Sequence, residues 1–372
     1  MSEVKRKGNG EPVILPGGRK GIKLWIKILI VAVLVVAITA VSAFCVVKSL
    51  FSYNYNEIEK TPEILGFEEV KDERIINIAL FGVDTRNENS FKGRSDAIMI
   101  LSVNTGTNKI KLISVMRDSF VPITQNGATY HTKINGAYAN GGPELAIKTL
   151  NTIFDLDISE YVTVNFFRLA EIIDLVGGVE IEITPSEISH INSGVREVCH
   201  AKGETYTGPD ITSSGIQHLN GVQATAYSRI RYTSNFEGTN NDYGRTDRQR
   251  YVMEQLYKKV IAMDKTQYAK LVKPILACCE TSLTYGEIIQ VILGVLSKNP
   301  TFEETRMPEP AFLMTSPKTN AGSVVYYDLN FAAKLIHSFI YKDIKPQKFI
   351  DTNGIEKNDW FAKGFTAPKI ED

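Results

Sequence analysis

Ile28 to Val47 carries no charged side chain, and a run of that length at helical rise spans the roughly 30 Å of a bilayer's hydrocarbon core. The pattern predicts one transmembrane helix. A cleaved signal peptide is the rival, because Ala40-Val-Ser42-Ala43 offers the small residues of a cleavage site. Residues 48–74 are polar with scattered aromatics and predict a juxtamembrane stalk or short helix. Ile75–Phe81, which ends at Gly82, then Ala97–Val103 and Ile110–Val115 are apolar and β-rich, and predict strands buried on one or both faces. Helical spacing over Pro143–Phe154 and Phe167–Val176 alternates with strand-like Tyr161–Asn165 and Val179–Ile183. Such alternation predicts an α/β layered domain.

Gly194–Ser214 is polar and rich in Gly, Thr and Ser, which predicts a long surface loop. A long helix is expected from Arg245 or Thr246 to Ile261, with Val252, Leu256 and Val260 facing inward. Thr284 and Glu287 form a capping-box pattern ahead of an apolar helix reaching about Leu296. After Pro300, a strand is predicted at Val324–Tyr327 and a helix at Asn330–Tyr341, with a poorly ordered polar tail beyond Ile344. The organisation is a basic tail (1–27), the membrane helix (28–47), the stalk (48–74), one domain (75–343) and the C-terminal tail (344–372). No internal repeat is visible.

Charge orients these pieces. Seven basic residues (Lys5, Arg6, Lys7, Arg19, Lys20, Lys23, Lys27) stand against Glu3 and Glu11 before the apolar run. That excess keeps the N-terminus cytoplasmic and places everything after Lys48 outside. In a chain of net charge zero the remainder carries about −5, which with an extracellular address argues against nucleic acid. Cys199, Cys278 and Cys279 lie outside, where a disulfide can persist, and a bridge from Cys199 to one of the pair is open. They show no metal-binding spacing.

Against that background, Arg229, Arg231, Arg245, Arg248 and Arg250 crowd into one short stretch. Arginine's planar fork grips phosphate or carboxylate bidentately, so the concentration suggests an oxyanion site. On the first turn of the expected helix, Arg245, Arg248 and Gln249 would add side-chain donors to unpaired backbone N–H groups. Positive side chains there oppose the helix dipole and call for an anion. Upstream stand Gly82-Val-Asp84, Gly93-Arg94-Ser-Asp96 and Met116-Arg117-Asp118. Asp84, Arg117 and Asp118 directly follow strand candidates, where ligands of open α/β sheets gather; an Asp in that place also makes a simple Asx-turn. Carboxylates for a hard divalent cation beside arginines for phosphate suggest phosphoryl transfer.

Taken in order, Phe81-Gly-Val-Asp84, Gly93-Arg94-Ser-Asp96, Ser114-Val-Met-Arg117-Asp118, Lys133-Ile-Asn135-Gly-Ala-Tyr138, Val176-Gly-Gly-Val179, Leu219-Asn-Gly221, Ser228-Arg229-Ile-Arg231 and Asp242-Tyr-Gly-Arg245-Thr-Asp-Arg248-Gln249 resemble the LytR-CpsA-Psr family of cell-envelope phosphotransferases. The resemblance covers Ile75 to about Lys342 and the N-terminal anchor. It implies a layered α-β-α domain with a central mixed sheet, preceded by one transmembrane helix. It also implies transfer of a teichoic-acid-like, capsular or other wall glycopolymer from a polyprenyl-pyrophosphate carrier to peptidoglycan, with Mg²⁺, or Mn²⁺ in its place.

Residue by residue, Asp84 and Asp96 resemble the metal-side carboxylates. Arg94, Arg117, Arg229, Arg231, Arg245 and Gln249 resemble the pyrophosphate shell, Lys133 its rim, and Asp242 its neighbour; Arg248 is counted with the phosphate ligands. The lipid is expected between the sheet and its helices, near Phe166–Val176 and Val252–Val260. Met116 departs from the proline many relatives carry before the Arg-Asp pair, with loop stiffness the expected effect. Asp242 and Asp118 are candidates to orient the acceptor hydroxyl, and Asp118 alternatively orients arginine; His131 reads as structural. Hydrolysis of polyprenyl pyrophosphate, and a non-catalytic envelope sensor or transcription attenuator, are the competing functions.

Overall fold

A computed structural model describes residues 53–296, 300–312 and 314–353. The predicted membrane helix lies outside them, and no helix among the described residues is long and apolar enough to cross a membrane.

The centre is a seven-stranded mixed sheet. Its strands are β1 (Asn54–Tyr55), β2 (Ile75–Asp84), β3 (Arg94–Asn104), β4 (Lys109–Val115), β7 (Glu160–Asn165), β10 (Glu280–Thr281) and β11 (Thr301–Met307), in the order β1-β10-β7-β2-β3-β4-β11. β2–β3–β4 form an antiparallel meander, β7 runs parallel to β2, and β11 runs parallel to β4. Three two-stranded antiparallel sheets stand apart among the described residues: β5 (Phe120–Gln125) with β6 (Ala128–Lys133), β8 (Val179–Ile183) with β9 (Gly215–Leu219), and β12 (Lys318–Thr319) with β13 (Gly322–Ser323).

Successive side chains of a strand point to opposite faces, and β2 shows both being used. Ala79, Phe81 and Val83 pack with α2 (Asn135–Phe154) and α9 (Leu329–Lys342) in the larger core. Ile76, Ile78 and Leu80 face α7 (Lys265–Ala277) and α8 (Tyr285–Leu296). This α-β-α layering agrees with the expectation from the alternating elements. On the second face Ile78 is buried, whereas Leu80, Leu101, Val162 and Leu276 are only half-buried although they sit between sheet and helices. A third core joins β8 and β9 to α4 (Ile188–Ala201), α5 (Gly221–Ser228) and α6 (Asn241–Ala262).

Several expectations are corrected. Residues from Tyr53 join the domain instead of forming a free stalk: β1 pairs with β10, and the short helix that was the other expectation is α1 (Pro62–Leu65), which buries Leu65 in the main core. The first part of the predicted 194–214 loop, through Ala201, is helix α4, whose Ile191, Val195, Val198 and Cys199 form a buried stripe beneath a polar outer face, and residues 202–214 are loop as expected. Val324–Tyr327 is no strand but two isolated bridges, Val325 to Ser119 and Tyr326 to Thr315. The tail past Ile344 forms α10 (Pro346–Asn353), which buries Phe349 and Ile350. Cys199, Cys278 and Cys279 are buried and free, so the bridge is not made. Desolvation pushes the Cys278 thiol up to about 11 and that of Cys279 to about 12.

Candidate active site

The strands β2 and β3 end where the chain needs an irregular ladder. Gly82 pairs with Ala97 and Val83 with Ser95, which leaves Asp96 as the extra residue of a β-bulge. Bulges re-aim a side chain at the edge of a sheet, and here the carboxylate of Asp96 is carried out to the strand ends. Asp84 lies opposite Arg94, and Gly93 permits that approach: a Cβ at this φ +146° residue would sit 2.9 Å from the Asp84 carbonyl oxygen. The intervening 85–93 loop is fastened by Asn165, the N-cap of α3 (Phe166–Leu175). Its amide donates to the Glu88 and Ser90 carbonyls at 2.8 and 3.1 Å, while Tyr138 Oη donates to the Phe91 carbonyl at 3.1 Å.

Asp96 gathers three arginines from distant segments. Arg117, just past β4, donates from Nη1 to Asp96 Oδ2 at 2.5 Å. Arg245 Nη1 and Arg231 Nη2 lie 3.7 and 3.8 Å from the same oxygen. Asp242 closes the ring: its Oδ1 is 2.9 Å from Arg245 Nη2, 3.4 Å from Arg117 Nη2 and 3.9 Å from Arg231 Nε. Asp118 Oδ1 binds Lys133 Nζ at 2.9 Å, with Oδ2 3.8 Å from Arg117 Nε. Three guanidinium groups on two shared carboxylates leave positive charge in excess, partly desolvated.

The electrostatics follow from that crowding. Burial would raise the Asp96 carboxyl, but Arg117, Arg245 and Arg231 outweigh it and hold it below the usual carboxylate range. Burial works against the Arg117 charge too, and Asp242 and Asp96 more than compensate. Arg245 is pulled down to about 10, first by burial and then by Arg117 and Arg231, against Asp242 and Asp96. It stays charged at neutral pH, as a guanidinium does, yet it is the group here with most to gain from an added anion.

Not every expected ligand joins the ring. Arg229 turns towards α4, 3.4 Å from Glu197, with its guanidinium 4.7 Å from the Phe166 ring centroid. Arg94 and Asp84 are exposed at the strand ends and make no ion pair among the described residues. Gln249 is half-buried one turn beyond Arg245. Arg248 is corrected outright: it is fully buried, bound to Glu187 and two backbone carbonyls, and presents nothing to a phosphate in the ring. Nor do Arg245 and Arg248 stand on the first turn of a helix: α6 begins at Asn241 and puts acidic Asp242 in the first turn, where the dipole favours it. Met116 donates its N–H to the Met307 carbonyl at 2.9 Å, a bond proline cannot make. His131 is exposed opposite Pro122 in the hairpin. Asn135, legible in the sequence only as part of the Lys133–Tyr138 motif and without a role, is buried and reaches Asp96 Oδ1 with its amide at 3.4 Å.

The LytR_cpsA_psr family model matches residues 44–334. This chain belongs to that family. It is 30% identical over 276 residues to Biofilm regulatory protein A of Streptococcus mutans, covering 70% of this chain and 64% of the relative. It is 31% identical over 225 residues to the polyisoprenyl-teichoic acid–peptidoglycan teichoic acid transferase TagU of Enterococcus faecalis, covering 59% and 66%. The chain thus spans just under two thirds of each. The fold matches that of the LytR-CPS2A-psr family protein YwtF (TagT) with bound octaprenyl pyrophosphate lipid, at TM-score 0.54 and 17% identity over 77% of this chain and 99% of that one.

Proposed function

We propose that this chain is a membrane-anchored phosphotransferase that moves a glycopolymer from a polyprenyl-pyrophosphate carrier to a peptidoglycan hydroxyl outside the cytoplasmic membrane. The observation that carries this reading is the convergence of Arg117, Arg231 and Arg245 on Asp96 and Asp242. A pyrophosphate brings several anionic oxygens, and preorganised guanidinium groups in a water-poor site stabilise charge as it shifts during transfer. The half-buried Leu80, Leu101, Val162 and Leu276 between sheet and helices supply apolar surface suited to a prenyl chain. The teichoic acid transferase among the relatives supports the same class of substrate.

The residues suit Mg²⁺, with Mn²⁺ as substitute. Among the described residues no three His, Cys, Asp or Glu side chains converge, but Mg²⁺ commonly takes one or two carboxylates and completes its shell with water and substrate phosphate. Asp84 and Asp96 sit at the same end of the β2–β3 pair, with the bulge between them, and are the two carboxylates that would hold the ion. A bound Mg²⁺ neutralises phosphate charge and polarises the phosphoryl oxygens.

The protein's own groups do the rest. Arg117, Arg231 and Arg245 hold the diphosphate oxygens, while Asp242 and Asp118 keep Arg245, Arg117 and Lys133 oriented. The acceptor hydroxyl oxygen bonds to the sugar-side phosphorus as the bond to the bridging oxygen breaks, and the carrier leaves as its monophosphate. The hydroxyl proton is balanced by that new phosphate oxygen. An anchor at the charge-free run Ile28–Val47, behind the basic residues that precede it, would put this reaction on the outer face.

The test is an assay with the full chain, a polyprenyl-pyrophosphate-linked glycan, peptidoglycan oligomers and Mg²⁺. Glycan-linked peptidoglycan with stoichiometric polyprenyl monophosphate is expected. Lipid phosphate without linked product indicates hydrolysis, and neither product contradicts the reading.

A further inference from the structure

Arg248 and Glu187 are both 0% exposed and bound at 2.6 Å through Arg248 Nε and Glu187 Oε1. Two charges removed from water gain little stability over an apolar pair of the same volume, so the pair's distinctive product is geometry. That geometry is specific. Arg248 Nη1 donates to the Ile230 carbonyl at 3.2 Å and Nη2 to the Thr233 carbonyl at 2.8 Å, which clamps the backbone on either side of Arg231 and Tyr232. Glu187 is fixed in turn, since its Oε2 accepts from the Thr184 N–H at 2.8 Å.

Arg231 needs such a clamp. Arg117 and Arg245 each have a direct bond to a ring carboxylate, at 2.5 and 2.9 Å, whereas Arg231 comes no nearer than 3.8 Å to either one. Its guanidinium is therefore placed by its backbone rather than by its own ion pairs. We propose that Arg248, fixed by Glu187, is a positioning residue that holds the Arg231 segment so that its guanidinium faces the diphosphate. This rests on reading the arginine ring as a pyrophosphate site. Lysine cannot replace Arg248, because an ammonium on a flexible stem cannot serve the carboxylate and two diverging carbonyls with the same planar fork.

The test uses the full chain in nanodiscs and inorganic pyrophosphate, with affinity measured by calorimetry and backbone exchange over residues 229–240 by deuterium labelling. Arg248→Lys is expected to weaken pyrophosphate binding about tenfold, the size of one charge-assisted contact. In an Arg231→Ala background the same change should cost nothing further, while in an Arg117→Ala background the full loss should persist. Exchange over 229–240 should rise and that of β2 and β3 should not. Glu187→Gln, which keeps the volume, should reproduce both effects if Arg248→Lys folds poorly. Equal losses with and without Arg231, or unchanged exchange over 229–240, would overturn the positioning role. A wild-type chain that fails to bind pyrophosphate contradicts the site reading instead, and the exchange measurement still decides the clamp.

Discussion

Arg245 and Asp96, 149 positions apart, meet through a backbone contact of 3.5 Å and a side-chain approach of 3.7 Å. The helix that begins at Asn241 and the bulge near the end of the β2–β3 pairing are thereby tied to one ring of charge.

Arg245 is nearly buried and already strained by two neighbouring arginines, so its loss should fall on activity. Arg245→Ala is expected to lower transfer by about ten- to a hundredfold, from a charge-assisted contact of about 1.5–3 kcal/mol. Arg245→Lys should not restore it. Steady-state kinetics with the lipid-linked donor checks this, and near-normal rates in either variant would remove Arg245 from the site.

Asp84 is exposed and without an ion pair among the described residues, so it is not needed for folding. Asp84→Asn should abolish Mg²⁺-dependent turnover while leaving the melting temperature within a degree or two, the usual size for a surface change. A chelator should have the same effect on the unmodified protein. Activity that survives both would exclude a metal at Asp84.

Far from the ring, Glu160 at the start of β7 pairs with Lys60 and accepts a hydrogen bond from Ser282 Oγ at 2.7 Å. Burial raises its carboxyl from 4.5 to about 7 despite both partners. A raised carboxyl favours the protonated folded state, so its stabilising contribution is complete below about 4.5 and is lost as pH rises through about 7. Chemical denaturation across that window should show the falling slope, and Glu160→Gln should flatten it. A slope identical in the variant would rule Glu160 out as its source.

Ser213 lies exposed in the loop before β9, while the native Cys199, Cys278 and Cys279 are buried. In Ser213→Cys cells a membrane-impermeant thiol reagent should label the chain without lysis. Labelling confined to lysed cells would put the domain in the cytoplasm and away from any wall acceptor.

The sequence made the sheet legible where both faces are apolar. The run Ile75–Phe81 has side chains for two helical layers, and its strand extends only to Asp84. Helix α4 was hidden because Asn192, Ser193 and Gly194 interrupt its stripe with residues typical of loops. Asp84 and Arg117 were legible because each follows an apolar strand candidate, and Asp96 because it stands directly before one in Gly93-Arg94-Ser-Asp96. The inward turn of Arg248 was not legible: whether an arginine serves a ligand or a buried glutamate depends on Glu187, 61 positions away. Likewise Arg229 reads as a twin of Arg231 in the chain, and only the end of α5 turns the two apart.

The most direct measurement is a crystal structure of the chain with a polyprenyl pyrophosphate and Mg²⁺. The expected result places diphosphate oxygens within hydrogen-bonding distance of Arg117, Arg231 and Arg245, with the prenyl chain running against Leu80 and Val162. A diphosphate bound elsewhere, with the arginines still closed on Asp96 and Asp242, would contradict the proposed site.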